Sequence, residues 1–487
     1  MHLSPFCFSM VGKLRFLMKV TCFTAGLICL LPIIAVGAPP ENLPVPAVVD
    51  IRPADHQDRD DAARGAQIVT NEELKKNPPL AARFLNQAVD DERWDIVRGL
   101  IPVYEASPEH DPVLLAYAQG ALARHDREYD RAIGLYRELL AAHPELTRIR
   151  LDLARMLFEN RQYDAARVQF EKARSDGLPD AVLDNLKNYL DAMDRAVGWS
   201  GSIDLSYLAD DNINNASRGK YIDIGGRMFA RNADSYPQSG HGAYYSGSIQ
   251  RDFPLADHHS LRFQEQVTGR SYWDNHKYDD VMLRSYLGYS YSDAGQRLSL
   301  LPFYEKRWYG TEPYSSGGGL RTEYSRLLSS NWQVGSAVEY QRMHYDSSRY
   351  SYLEGHDLLL SVSLGYAFSS RLAIYAGADL GQQDTRSDSD TNDMLGLRAG
   401  FEAELPYGFS ASLMAGVSER KYAGRNDIFA IRRKDVEDNC LISLWHRGFY
   451  FWGILPKVNF AYRSMDSNIN YYSFDQKRVY LSATRAF

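Results

Sequence analysis

Cysteine is almost absent from this chain: of four in 487 residues, Cys7, Cys22 and Cys29 fall within the first 37 positions. If that segment is removed, Cys440 stands alone, which excludes an intramolecular disulfide and any cysteine-based metal site. A basic surplus is also missing, with 55 Lys and Arg against 62 Asp and Glu, so nucleic acid is a poor candidate partner. Mean hydropathy is only -0.40, with 45% hydrophobic and 24% charged residues. That balance excludes a bundle of transmembrane helices as firmly as a disordered chain. No G-x-S-x-G, no H-E-x-x-H and no paired Cys/His spacing occurs, so no catalytic, metal or cofactor-binding motif presents itself.

What is there is unevenly spread. From Gly198 onward lie 27 of the 33 tyrosines, 27 of the 35 glycines and 6 of the 7 tryptophans. The length leaves room for two or three domains, and the skew says that two kinds of structure are joined. Residues 1–37 carry Lys13, Arg15 and Lys19 but no acidic residue, then an apolar run from Val20 to Val36 that ends in small residues. This is the layout of a secretory signal peptide; the other reading is a membrane anchor, for which seventeen residues containing Thr21, Thr24 and Pro32 are short. Its removal takes three basic and no acidic residues, leaving a net charge of -10. Residues 38–80 hold seven prolines and no sustained period, as expected of a lead or linker.

From 81 to 197 the period is helical. Tyr129 and Asp130 recur as Tyr163 and Asp164, Ala132 as Ala166, Tyr136 as Phe170, and Gly120 as Ala154, all at a separation of 34 residues. That period, with small residues where helices cross and an aromatic four positions on, is the mark of tetratricopeptide helix pairs; an ordinary helical bundle is the alternative. Gly120, Ala132, Tyr136, Ala154, Ala166 and Phe170 are the expected packing residues, and Trp94, Val97 and Ile101 suggest a third unit upstream.

Past Gly198 the period becomes two. Leu395, Leu397, Ala399, Phe401, Ala403 and Leu405 alternate with Met394, Gly396, Arg398, Gly400, Glu402 and Glu404, and the stretches at 332–341 and 358–368 behave alike. Fourteen such strands can be counted, starting near residues 199, 243, 261, 281, 298, 320, 332, 358, 372, 394, 409, 439, 458 and 479. Short links (254–258, 293–295, 329–331, 369–371, 406–408) alternate with longer polar ones (210–240, 345–356, 382–393, 421–433). A soluble sandwich has no reason to segregate links by length. An outer-membrane barrel does, its short turns facing the periplasm and its apolar face meeting lipid. Phe487 closes an amphipathic last strand, as a barrel-assembly signal would. Asp211, Asn212 and Asn214 follow the first strand, either as a gate or client-contact loop or as turn-forming residues. His258, His259 and His446 read more readily as solvated or packed side chains than as metal ligands.

The order of parts resembles the Slam family, the surface lipoprotein assembly modulators of Gram-negative outer membranes. The resemblance is carried by Leu114-Leu115-Ala116-Tyr117-Ala118-Gln119-Gly120, Tyr136-Arg137-Glu138-Leu139 and Leu157-Phe158-Glu159-Asn160-Arg161-Gln162 in the helical part. In the barrel it is carried by Asn212-Ile213-Asn214-Asn215-Ala216 and Ser443-Leu444-Trp445-His446-Arg447. It covers the chain from about residue 70 to the end. It implies a non-enzymatic factor without cofactors, in the outer membrane with its helical domain in the periplasm, that delivers lipoproteins to the cell surface. Clients of such proteins include transferrin-, lactoferrin- and haem-acquisition lipoproteins and complement-factor binders. Periplasmic chaperones, the barrel-assembly machinery and outer-membrane lipid are the other expected partners. An exopolysaccharide export porin, with Arg262, Gln264, Gln266, Thr268 and Arg270 lining a sugar path, and a barrel hydrolase are the rival readings.

Overall fold

A computed structural model describes residues 71–232 and 235–487; the secretory segment expected over 1–37 lies outside the described residues. Among the described residues eight α-helices come first: α1 (Asn71–Lys76), α2 (Pro78–Asp90), α3 (Trp94–Glu105), α4 (Pro112–His125), α5 (Tyr129–Ala142), α6 (Thr147–Glu159), α7 (Tyr163–Arg174) and α8 (Asp180–Ala196). The lead expected to run to residue 80 is therefore helical from Asn71. Pro78 and Pro79 start α2 rather than interrupt it, because the first turn has no intrahelical use for their missing N–H groups, and the Asn77 side chain accepts from the Leu80 N–H at 3.2 Å.

Three helix pairs, α2/α3, α4/α5 and α6/α7, share one turn geometry. The central turn residues Glu92, Arg127 and Arg161 are left-handed, with φ of 53°, 63° and 59°. The next N–H in each case reaches back to the first helix: Arg93 to Ala88 at 2.9 Å, Glu128 to Ala123 and Gln162 to Leu157 at 2.8 Å. This six-to-one bond is how a helix ends when the chain must reverse within three residues. The repeat thus extends upstream to a third pair, offset by 35 residues rather than 34, with Val97 and Ile101 buried in its core. Ala132, Ala154 and Ala166 are fully buried, and Tyr136 and Phe170 nearly so. Tyr189 on α8 stacks on Phe170 at 5.0 Å and covers the open end of the last pair.

The remainder is a closed antiparallel barrel of fourteen strands, each hydrogen-bonded to its neighbours in sequence. They are β1 (Ser200–Asp210), β4 (Gly240–Ala256), β5 (His259–Tyr272), β6 (Asp280–Ser292), β7 (Gln296–Tyr309), β8 (Glu312–Leu327) and β9 (Trp332–Tyr345). There follow β10 (Gly355–Ser369), β11 (Leu372–Thr385), β12 (Asn392–Glu404), β13 (Phe409–Arg425), β14 (Arg432–His446), β15 (Ile454–Ser467) and β16 (Phe474–Ala486). A hairpin of β2 (Tyr221–Ile224) and β3 (Arg227–Ala230) sits in the link between β1 and β4. Alternation decides the faces: Leu358, Leu360, Val362 and Leu364 point outward, whereas Leu359, Ser361 and Ser363 are buried. Closure gives every strand a neighbour on both sides, which is how a sheet satisfies its backbone when it crosses a membrane.

One end carries the turns 257–258, 293–295, 328–331, 370–371, 405–408 and 447–453. At the other end the strands run further than expected, so that the links shrink to 346–354, 386–391 and 426–431, and one is the two-residue turn Gly310-Thr311. Ladder bonds above the apolar band satisfy the backbone as well as water does, so polar residues there stay in strand. Only the link 211–239 remains long. Trp332 packs on Tyr366 (4.6 Å) and Tyr366 on Phe368 (4.7 Å) beside the short turns. Tyr245 lies across Gly269, where a β-carbon would meet its Cζ at 2.4 Å. Rings laid over bare backbone of the adjacent strand account for part of the joint enrichment in tyrosine and glycine.

Candidate functional site

The barrel wall carries a series of arginines paired with carboxylates. Arg284 on β6 meets Glu305 on β7 at 2.5 Å and Glu339 on β9 at 3.1 Å, and lies over the Phe303 ring at 4.5 Å. Glu339 also takes Arg321 at 2.9 Å. Asp280 binds Arg270 (2.9 Å) and Arg307 (2.8 Å), Arg262 pairs with Asp252 (2.7 Å), and Arg463 with Glu437 (2.7 Å). Arg398 pairs with Asp379 and donates to Ser361 (3.0 Å) and Ser363 (2.6 Å). A buried charge has to be answered in this way. The residues weighed as a sugar path are part of this wall: Arg262, Gln264 and Arg270 are buried, and both arginines are engaged by carboxylates.

At the end away from the short turns, the link after β1 folds against β16. Asn212 is fully buried; its side chain donates to the Ala216 carbonyl (2.9 Å) and accepts from the Ala216 N–H (2.8 Å). Gln476 on β16 donates to the Asn212 carbonyl at 2.8 Å and to Asn215 Oδ1 at 2.7 Å. Asn214 ties the loop to its return limb, donating to the Tyr236 carbonyl (2.9 Å) and accepting from the Gln238 N–H (3.0 Å). Asp211 is exposed and paired with Arg218 at 2.9 Å. Below them Arg478 forms a buried pair with Asp210. Phe487, half-exposed, exchanges backbone bonds of 2.9 and 3.0 Å with Gly201.

The first helix of each repeat contributes to one shared polar face. Arg148 on α6 reaches Asp90 on α2 (2.7 Å) and the Tyr117 hydroxyl on α4 (3.1 Å). Arg124 on α4 grips Glu159 on α6 through two bonds of 2.8 and 2.7 Å, and Arg155 joins at 3.0 Å. Asp152 lies among these arginines. Burial raises its pKa, against the pull of Arg148, Arg124 and Arg155. Gly120 lies on the same helix as Tyr117, and the Tyr136 hydroxyl donates to the Tyr117 carbonyl at 3.2 Å.

The helical domain docks on the short-turn end of the barrel through the α6/α7 turn. The Gln162 and Asn160 amide nitrogens lie 3.0 and 3.5 Å from Nε2 of His258. Arg161 donates to Ser292 Oγ at 2.9 Å, and the Ala294 N–H to Asn160 Oδ1 at 3.4 Å. His258 thus has an interdomain role that sequence reasoning missed. His446 holds a turn, with Nε2 at 2.8 Å from the Tyr407 carbonyl and Nδ1 accepting from the Gly448 N–H at 3.0 Å. Among the described residues no group of three or more His, Cys, Asp or Glu is arranged to hold a metal ion.

Comparison with known proteins matches two descriptions: "Surface lipoprotein assembly modifier" over residues 199–487, and its "N-terminal TPR repeats" over 67–170. Surface lipoprotein assembly modifier 1 of Haemophilus influenzae is 31% identical over 427 residues, 86% of this chain and 87% of that protein. The surface lipoprotein assembly modifier of Pasteurella multocida is 31% identical over 447 residues, 88% and 87% of the two chains. The hemophilin secretion modulator of Acinetobacter baumannii is 24% identical over 425 residues, 83% and 85%. A helical repeat domain docked on a fourteen-strand barrel, and matches that run through both parts, make this chain a member of the surface lipoprotein assembly modifier family.

Proposed function

We propose that this chain carries specific lipoproteins across the outer membrane to the cell surface, the repeat domain receiving the client and the barrel giving its polypeptide a route. The barrel stands in the outer membrane, with the short turns and the helical domain on the periplasmic side. One observation carries the reading: residues 160–162 bind the turns at 257–258 and 292–294, so the repeat surface is held at the barrel mouth. A polypeptide crossing ~30 Å of hydrocarbon unaided leaves each unsatisfied backbone group at a cost of several kcal/mol. A wall of paired charges and hydroxyls removes that cost without covalent chemistry. The name of the Acinetobacter relative favours haem-acquisition clients, and host iron-acquisition or immune-evasion lipoproteins belong to the same proposal. Periplasmic chaperones that keep the client unfolded, and the barrel-assembly machinery reading Phe487, complete the set of partners.

The test is to express the chain with a panel of surface lipoproteins in a host that lacks it, and to measure protease accessibility of each on intact cells. One or more clients should become accessible. If none does, and secreted polysaccharide is restored instead, the proposal fails.

A further inference from the structure

The barrel closes between β1 and β16, and this closure differs from the other thirteen interfaces. The two strands share five register pairs, from Ser202 with Ala486 to Ser206 with Ser482. Every other neighbouring pair in the barrel shares 11 to 14. The strands are long enough to do better: β1 is laddered to β4 along all 11 of its residues, and β16 to β15 at 12 positions. The shortfall is also one-sided, since the pairs occupy the periplasmic half. In the outer half, the edge of β16 from Phe474 to Leu481 meets β1 and its following loop through side chains. Arg478 holds Asp210, Gln476 holds Asn212 and Asn215, and Arg218 reaches Asp475 at 3.5 Å.

We infer that the outer half of this seam is a lateral exit for the segment that joins a lipoprotein's polypeptide, inside the lumen, to its acyl anchor, outside in the lipid, a step that rests on the delivery function proposed above. Acyl chains forced through a lumen of paired charges would lose their hydrocarbon surroundings at every CH2. The anchor therefore has to remain in hydrocarbon while the polypeptide crosses the lumen, and the wall has to part where the two are joined. Parting elsewhere breaks 11 or more register pairs. Here it breaks a clasp of a few side-chain bonds, and the opening faces the leaflet in which the anchor finally rests. The lipid-facing flanks are apolar: Leu205 and Tyr207 on β1, Val479 and Leu481 on β16.

A disulfide tests this. Continuing the register of Ser206 with Ser482 sets Ala209 opposite Val479, so Ala209→Cys with Val479→Cys, in a Cys440→Ser background, locks the outer half. Ala376→Cys with Ala399→Cys, register partners on β11 and β12, is the control lock. The probe is the lipoprotein that gains surface exposure in the assay above, with a second form whose lipidated cysteine is replaced by serine. With the seam oxidised, display of the lipidated client should fall at least tenfold and return on reduction. The unlipidated form should cross undiminished, and the control lock should change neither. Undiminished display of the lipidated client through an oxidised seam overturns the inference, as does equal loss of both forms. If the unlocked chain displays no client, the delivery function itself fails and the exit falls with it.

Discussion

The ring of Tyr136 lies against the bare Cα of Gly120: a methyl group on that carbon would stand 2.2 Å from Cε1. The two residues sit on successive helices of the middle repeat, and Tyr136 is 1% exposed, so the ring has nowhere to retreat. Alanine favours a helix over glycine by ~1 kcal/mol, whereas overpacking a core costs ~1–3 kcal/mol. Gly120→Ala should therefore destabilise the repeat domain, by up to ~2 kcal/mol. Hydrogen exchange over residues 112–142 of the full chain should quicken accordingly. Adding Tyr136→Leu should reverse the loss, and slower exchange in the single variant would show the ring free to move.

Asp152 offers a pH signature. Its folded pKa lies above its unfolded value because burial disfavours the carboxylate, so within that window the folded state binds more protons. Stability is then greatest below the unfolded pKa of about 3.9 and declines as pH rises through the folded pKa. Asp152→Asn should slow exchange in α6 at pH 7, with an advantage that shrinks towards pH 4. An effect of the opposite sign would mean that the arginines around it outweigh burial.

In the wall, Arg284 answers two carboxylates at once. Arg284→Met strands Glu305, and breaking one side of a buried pair costs ~3 kcal/mol or more. The temperature at which the barrel unfolds in detergent, read as a gel mobility shift, should drop by several degrees. Glu305→Gln on the same chain should recover much of it. Additive losses in the double variant would show that the pair is not coupled.

The contact of Gln162 with His258 holds the peptide bond after Arg161 against the barrel. His258→Ala removes an interdomain bond worth a net ~1 kcal/mol, which corresponds to about fivefold more of the undocked form. Tryptic cleavage after Arg161 should accelerate by about that factor. An unchanged rate would place the hold elsewhere in the interface.

Period alone made most of this architecture readable. Two-residue alternation marked all fourteen strands because lipid on one side and a polar wall on the other select opposite residues at successive positions. The 34-residue register marked the helix pairs because small residues recur at buried positions: Ala132, Ala154 and Ala166 are fully buried, and Gly120 takes the Tyr136 ring. Three things escaped. Strand starts were set too late, near 439 instead of Arg432 and near 320 instead of Glu312, because ladders continue into polar sequence. The ion pairs were unseen because Arg284 and Glu339 are 55 residues and three strands apart, although both stand at wall-facing positions of the alternation. The clasp was unseen because Gln476 and Asn212 are neighbours only once the ends of the barrel meet.

The wall described here sets nine arginines (262, 270, 284, 307, 321, 398, 433, 463, 478) against nine carboxylates (210, 252, 280, 305, 323, 339, 379, 435, 437). Such a set exerts almost no field at a distance, since each charge is cancelled within about one bond length of its partner. Small ions of either sign find little to attract them at these pairs. A moving chain also meets low friction: an acidic or basic stretch displaces one partner only to be released by the other. On the route proposed above, passage would then be limited by what pulls or folds the client at either end rather than by adhesion to the wall.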